Sequence, residues 1–117
     1  MENSIFVEAY ADKNPYATTV TYDGGKFIAD EKESAGGGGK GPNPGDLLAA
    51  SLATCTVITL KMYASRKGWS NENISTKVEM ISANGSTRFI RQINVDSSLT
   101  PEQRERMLQI AEKCPVH

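Results

Sequence analysis

Cys55 and Cys114 are the only cysteines in this 117-residue chain, and they are its most plausible centres of chemistry. A thiolate attacks peroxides, disulfides and metal ions. The thiol form does not, and its ordinary pKa is about 8.5, so a reactive cysteine needs a cation, a hydrogen-bond donor or a helix N-terminus beside it. The residue pattern puts neither cysteine at a helix N-terminus. Cys114 falls where a helix ends, and the partial negative charge of the last carbonyls opposes an anion there. If one thiol is a nucleophile it is therefore Cys55, with Cys114 as the resolving partner and the activating cation supplied from elsewhere in the fold. Two other readings stay open. Buried free cysteine is often no more than a small hydrophobe, and both thiols fall on apolar helix faces. Zinc on Cys55, Cys114 and His117 would make an open three-ligand site, but no CxxC pair or second histidine supports it, so no metal and no other cofactor is expected.

The elements that must position these thiols follow from patterning. Residues 43–68 read as one long helix carrying Cys55 near its middle. Asn43 is a good N-cap, Pro44 suits the first helical position, Asp46 suits the positive end of the helix, and Gly68 suits a left-handed C-terminal residue. Residues 47–60 carry no charge. A helix apolar nearly all round is surrounded by protein. At about 36 Å for 24 residues it is as long as a small domain is wide, which favours a partner chain, while its apolar part is taken as too short for a bilayer. The second thiol follows Thr100-Pro101-Glu102-Gln103, a capping box with proline at the first helical position. Met107, Ile110, Ala111 and Cys114 then recur at helical spacing, which predicts a helix running to Pro115.

The rest reads as antiparallel strands. Residues 5–10, 16–22 and 26–30 are β-rich runs joined by turn residues, the second turn being Asp23-Gly24-Gly25. Residues 31–41 contain four consecutive glycines, whose ordering entropy predicts a mobile loop. Gly39-Lys40 within it fails the phosphate-loop pattern, because Gly41 and Pro42 stand where a hydroxyl is required. Ile74, Thr76, Val78 and Met80 alternate with polar residues, Asn84-Gly85 signals a hairpin, and the returning strand places Phe89, Arg91, Ile93 and Val95 on one face. Arg91 is the one charge on that face. Its ordinary reading is an arginine snorkelling at the sheet edge; its sharper reading is a cation delivered toward a site.

The net charge is −1, from 13 basic and 14 acidic residues, which leaves no footprint for nucleic acid or an anionic membrane. The N-terminus lacks the basic and apolar regions of a signal peptide, so the expected location is the cytoplasm. No repeat or internal boundary interrupts residues 1–117, which are expected to form a single domain.

Two segments carry a family resemblance. Gly41-Pro42-Asn43-Pro44, Asp46-Leu47-Leu48-Ala49-Ala50-Ser51-Leu52-Ala53-Thr54-Cys55-Thr56 and Glu112-Lys113-Cys114-Pro115-Val116-His117 closely resemble the two cysteine segments of the OsmC/Ohr family. Residues 61–69 and 99–104 look like its general OsmC-like branch. The resemblance implies an α+β fold of antiparallel sheets packed around a long central helix, an intertwined homodimer, and active sites at the dimer interface. It also implies an oxidative stress enzyme, a thiol peroxidase that reduces organic hydroperoxides. Cys55 would become a sulfenic acid, Cys114 would condense with it to a disulfide, and a dithiol reductant would reset the pair. Three departures stand out. The family's peroxidases carry a glutamate ten residues before the first cysteine, where this chain has Gly45, with Asp46 beside it pointing elsewhere. They use an N-terminal arginine to hold the thiolate, whereas the first arginine here is Arg66, and Lys40 on the glycine loop is only a point charge. They also continue past the second cysteine into a final strand, so either that strand is missing or the sheet closes differently.

The resulting expectation is a cytoplasmic, homodimeric thiol peroxidase with catalytic Cys55 and Cys114. The alternatives are a non-catalytic OsmC-like protein binding a small hydrophobic ligand in the dimer cleft, and an interaction domain whose cysteines only pack.

Overall fold

The structure is a computed structural model describing residues 4–113. It is α+β, with antiparallel strands and two α-helices among the described residues. The chain divides into two compact units, Met1–Leu47 and Leu48–His117.

The first unit is a three-stranded antiparallel meander of β1 (Glu8–Ala11), β2 (Thr18–Tyr22) and β3 (Gly25–Ala29). β-branched Thr18, Thr19, Val20 and Thr21 suit the central strand. Asp23 and Gly24 form the two-residue turn that pairs Tyr22 with Gly25, and Gly24 takes the left-handed φ of 98°. The first strand starts later than its composition suggests. Ile5, Phe6 and Val7 lie outside it and are exposed. β2 turns back after Tyr22, and Glu8 already pairs with Thr21, so Phe6 and Ile5 fall opposite the Asp23-Gly24 turn and have no strand to pair with, and Val7 faces only the last residue of β2.

The glycine loop departs from the expectation of mobility, because it is organised around one carboxylate. Asp30, 3% exposed, accepts the Glu31 N–H on Oδ1 at 2.7 Å and those of Gly38 and Lys40 on Oδ2 at 3.2 and 3.1 Å. Burial pushes this carboxyl up, but the three N–H donors and the Lys40 charge outweigh it and hold it below its ordinary value. A Cβ on Gly37 would collide with the Glu31 carbonyl oxygen, and one on Gly41 with that of Ile28. The glycines are what allows the backbone to close on Asp30.

From there α1 (Pro44–Lys67) begins. Its cap is reciprocal: Asn43 Oδ1 accepts the Asp46 N–H at 2.8 Å, and Asp46 Oδ2 accepts the Asn43 N–H at 3.1 Å. It ends in a Schellman motif, with Gly68 at φ 73°, its N–H on the Ser65 carbonyl and the Trp69 N–H on the Ala64 carbonyl. Within this chain the burial is narrower than the composition suggests. Leu52, Thr56, Leu60 and Ala64 form one buried stripe at four-residue spacing, while Leu48, Ile58 and Met62 stay exposed. The apolar length also exceeds the expectation. By length and composition alone α1 could cross a membrane, a property that core helices of globular proteins share.

In the second unit, β4 (Ser75–Ala83) and β5 (Ser86–Asn94) form an antiparallel hairpin. Asn84 and Gly85, at φ 54° and 77°, supply the two left-handed residues of its tight turn. α2 (Pro101–Ala111) opens on the predicted capping box, with Thr100 Oγ1 accepting the Gln103 N–H and Gln103 Oε1 accepting the Thr100 N–H. It stops at Ala111, short of the predicted end, and Glu112 and Lys113 form a turn. The core joins Leu60 and Ala64 of α1 to Leu99 and to Met107, Ile110 and Ala111 of α2, with Ile74, Ile93 and Val95 packed against it. Tyr63 extends this contact: its ring meets Trp69 edge-on at 5.6 Å and its hydroxyl accepts from Arg106 Nε at 3.1 Å.

Candidate functional site

The site is built on the middle of α1. Cys55 is half-buried, one position off the buried stripe, with Sγ 4.0 Å from Thr59 Oγ1 one turn on. The next residue, Thr56, is fully buried. Its hydroxyl donates to the Leu52 carbonyl at 2.8 Å, the usual local bond of a mid-helix threonine, and its oxygen is left to accept another.

Arg91 fills that place. Strand alternation on β5, opposite Val78 of β4, turns its side chain inward. The side chain is only 10% exposed, so the snorkelling reading gives way to the sharper one. Arg91 Nη1 donates both to Thr56 Oγ1 at 2.8 Å and to the Ala111 carbonyl at 3.3 Å, while Nη2 lies 3.7 Å from Glu112 Oε1. A buried guanidinium is costly unless its donors are met. Here it meets a hydroxyl, a carbonyl at the end of α2 and a carboxylate, and the negative end of a helix suits a cation. One nitrogen thus joins the residue after Cys55 to the segment that leads into Cys114.

Cys114 and His117 lie outside the described residues, as does the zinc set that would use them. Among the described residues no group of three or more His, Cys, Asp or Glu side chains is placed to hold a metal. Two residues weighed as stand-ins for missing partners have other roles. Asp46 is committed to the cap of α1. Lys40 belongs to the glycine loop, where its charge acts on Asp30. Sequence reasoning marked Arg91 but missed Thr56, Ala111 and Glu112 as its partners. The available signal was the hydroxyl that shares four-residue spacing with Leu52, Leu60 and Ala64, next to the cysteine.

A recess of about 390 Å³ flanks the same stretch of helix, lined by Ala53, Thr54, Val57 and Ile58 of α1 with Ile74, Ser75 and Thr76. Thr76 Oγ1 is buried there without a hydrogen-bond partner among the described residues. A second recess, at Lys61, Met62, Ser65 and Arg66, lies further along α1.

The fold is similar to those of several solved structures. An OsmC-like protein from Mycoplasma pneumoniae superposes with a TM-score of 0.85 at 17% identity, over 100% of this chain and 86% of that one. An organic hydroperoxide resistance protein OsmC from Legionella pneumophila gives 0.64 at 23% identity, over 97% and 86%. The organic hydroperoxide resistance protein OhrB of Bacillus subtilis gives 0.62 at 24%, over 97% and 87%. No curated protein matches the sequence significantly. The OsmC-like protein family matches residues 37–117, which include the Asp30-anchored part of the glycine loop, all of α1 and both cysteines. With most of its length matched and its α+β architecture shared, the chain belongs to the OsmC-like family.

Proposed function

We propose that this protein is a thiol peroxidase that reduces organic hydroperoxides with Cys55 and Cys114. The sulfur of Cys55 attacks the outer peroxide oxygen, and the O–O bond breaks. The alcohol leaves with a proton, and Cys55 is oxidised to the sulfenic acid. The Cys114 thiolate then attacks that sulfur, the S–O bond breaks, and the departing hydroxide takes a proton to become water. Hydroperoxide and two thiols thus give alcohol, water and one disulfide, which an external dithiol reduces. The observation that carries this reading is the shared hold of Arg91 on Thr56 and Ala111, which ties the residue after Cys55 to the last residue of α2, three positions before Cys114 in the sequence. The hydroperoxide resistance proteins of like fold support it. A second copy of the chain laid over exposed Leu48, Ile58 and Met62 would complete the burial of α1.

The test adds stoichiometric organic hydroperoxide to reduced wild type, Cys55→Ser and Cys114→Ser and counts thiols by mass spectrometry. The reading predicts a rapid Cys55–Cys114 disulfide in wild type, a trappable sulfenic acid on Cys55 in Cys114→Ser, and no oxidation in Cys55→Ser. Oxidation no faster than that of free cysteine would overturn it. The recess beside Thr76, with its unpartnered hydroxyl, favours a second reading, in which the protein binds a small hydrophobic ligand bearing one polar group. A ligand retained through purification, together with inert thiols, would establish that reading instead.

A further inference from the structure

We propose that Arg91 is a positioning residue for the thiol pair: it staples the Cys55-bearing turn of α1 to the end of α2, and so sets how readily the disulfide closes. This rests on the reading of Cys55 and Cys114 as a redox pair.

A disulfide needs its two Cα atoms within roughly 4.4–6.8 Å. The two segments are remote in sequence, so that proximity must come from tertiary contacts. Packing of Ile110 and Ala111 brings the end of α2 into the core but provides no directional anchor. Arg91 does provide one, through two hydrogen bonds from a single nitrogen, one to the residue after Cys55 and one to the last residue of α2. Three residues of chain reach at most about 10 Å. With Ala111 pinned beside Thr56, the chain that leads on to Cys114 starts next to the Cys55-bearing turn. Without the pin, the end of α2 can drift from α1 and the effective concentration of one thiol at the other falls. The planar fork also explains why the position holds arginine, because a lysine ammonium cannot present the same fixed set of donors to hydroxyl, carbonyl and carboxylate.

The experiment equilibrates wild type, Arg91→Met, Arg91→Lys and Thr56→Val with glutathione buffers of graded ratio, quenches, and measures the dithiol and disulfide forms by mass. Circular dichroism verifies that each variant is folded. Loss of the staple should move the equilibrium of Arg91→Met toward the dithiol by at least tenfold, about 30 mV less negative in potential. Arg91→Lys should fall between Arg91→Met and wild type, and Thr56→Val should move the same way by threefold or more. Folded Arg91→Met within twofold of wild type would overturn the proposal and leave Arg91 a packing residue. If Arg91→Met does not fold, Thr56→Val decides, and an unshifted equilibrium there is equally fatal. A wild type that forms the disulfide in glutathione but does not reduce hydroperoxide would refute the peroxidase reading and leave the staple standing. A wild type that forms no disulfide at all would refute both.

Discussion

Thr56→Val isolates one atom of the link between β5 and α1. Valine keeps the shape and the β-branch, so no cavity opens in a side chain that is fully buried. Helix preference barely changes between these two residues. What is lost is the oxygen that accepts from Arg91 Nη1 at 2.8 Å, together with the local bond to the Leu52 carbonyl at 2.8 Å. The local bond matters little, since that carbonyl lies inside the helix and keeps a backbone partner. The bond to the guanidinium matters more, because hydrogen bonds to charged groups contribute about 1.5–3 kcal/mol. The Ala111 carbonyl at 3.3 Å still accepts from the same nitrogen, which places the expected loss toward the lower end of that range. For a chain of this length each kcal/mol shifts the melting temperature by roughly 4 °C, so Thr56→Val should melt about 6–8 °C lower.

A double-mutant cycle with Arg91→Met makes the test specific. If the two side chains act through their mutual bond, the cycle made with both single variants and the double variant returns a coupling energy of about 1–2 kcal/mol, well above the few tenths expected of independent sites. The energies come from urea denaturation followed by circular dichroism, at fixed protein concentration because an assembled chain melts in a concentration-dependent way. A coupling below about 0.5 kcal/mol would show that Thr56 and Arg91 contribute independently, and the reasoning from their contact would be wrong.

Other expectations follow from the same structure. Met107 is fully buried among Leu60, Leu99 and Ile110, so Met107→Ala should cost about 2–5 kcal/mol in urea denaturation, and an unchanged midpoint would mean that the core closes around the gap. Gly41→Ala drives a methyl group against the Ile28 carbonyl, so the glycine loop should become sensitive to limited proteolysis, and an unchanged cleavage pattern would show that the loop takes up the methyl group without opening. Asp96 accepts from the Ser98 N–H, from Ser70 and from Asn73, and these donors hold its carboxyl at about 2, below the ordinary 3.8. A carboxyl lowered in the folded state stabilises fully above the unfolded value, and that contribution is lost as pH falls through the folded one. Acid titration of stability should therefore show a loss between pH 3.8 and about 2 that Asp96→Asn flattens; an identical slope in the variant would remove Asp96 from the acid transition.

Local signals in the sequence are enough to locate most of the fold. Asn43, Pro44 and Gly68 mark the ends of α1 to the residue, and Asn84-Gly85 marks the β4–β5 turn, because caps and tight turns are satisfied by neighbours within a few positions. The errors arise where distant chain decides. Ile5 and Phe6 are good strand formers left outside β1 because β2 ends before it can pair with them. The four glycines read as a mobile loop because composition alone does not show that Asp30 collects the N–H groups of Gly38 and Lys40. The end of α2 reads too late because helical spacing continues through Cys114, although the backbone turns at Glu112.

Arg91 shows how far such reading reaches into the site. Alternation along β5 establishes which face the side chain takes, and one cation on an apolar face is enough to single it out. Alternation has a period of two and carries no information about what lies across the core, so snorkelling and delivery to a site are both consistent with it. The choice between them is made by Thr56. On a helix with no charge between residues 47 and 60, its hydroxyl is the polar atom on the buried stripe that can receive a guanidinium, and it lies directly after the cysteine. Thr54, two residues earlier, is exposed, and a cation meeting its hydroxyl would stay in water. Thr56 instead requires the cation to be buried, hydrogen-bonded and fixed relative to α2. A polar residue on an otherwise apolar helix stripe and a charge on an otherwise apolar strand face therefore make a complementary pair, and that complementarity, more than either residue alone, is the signal by which this site could be found from sequence.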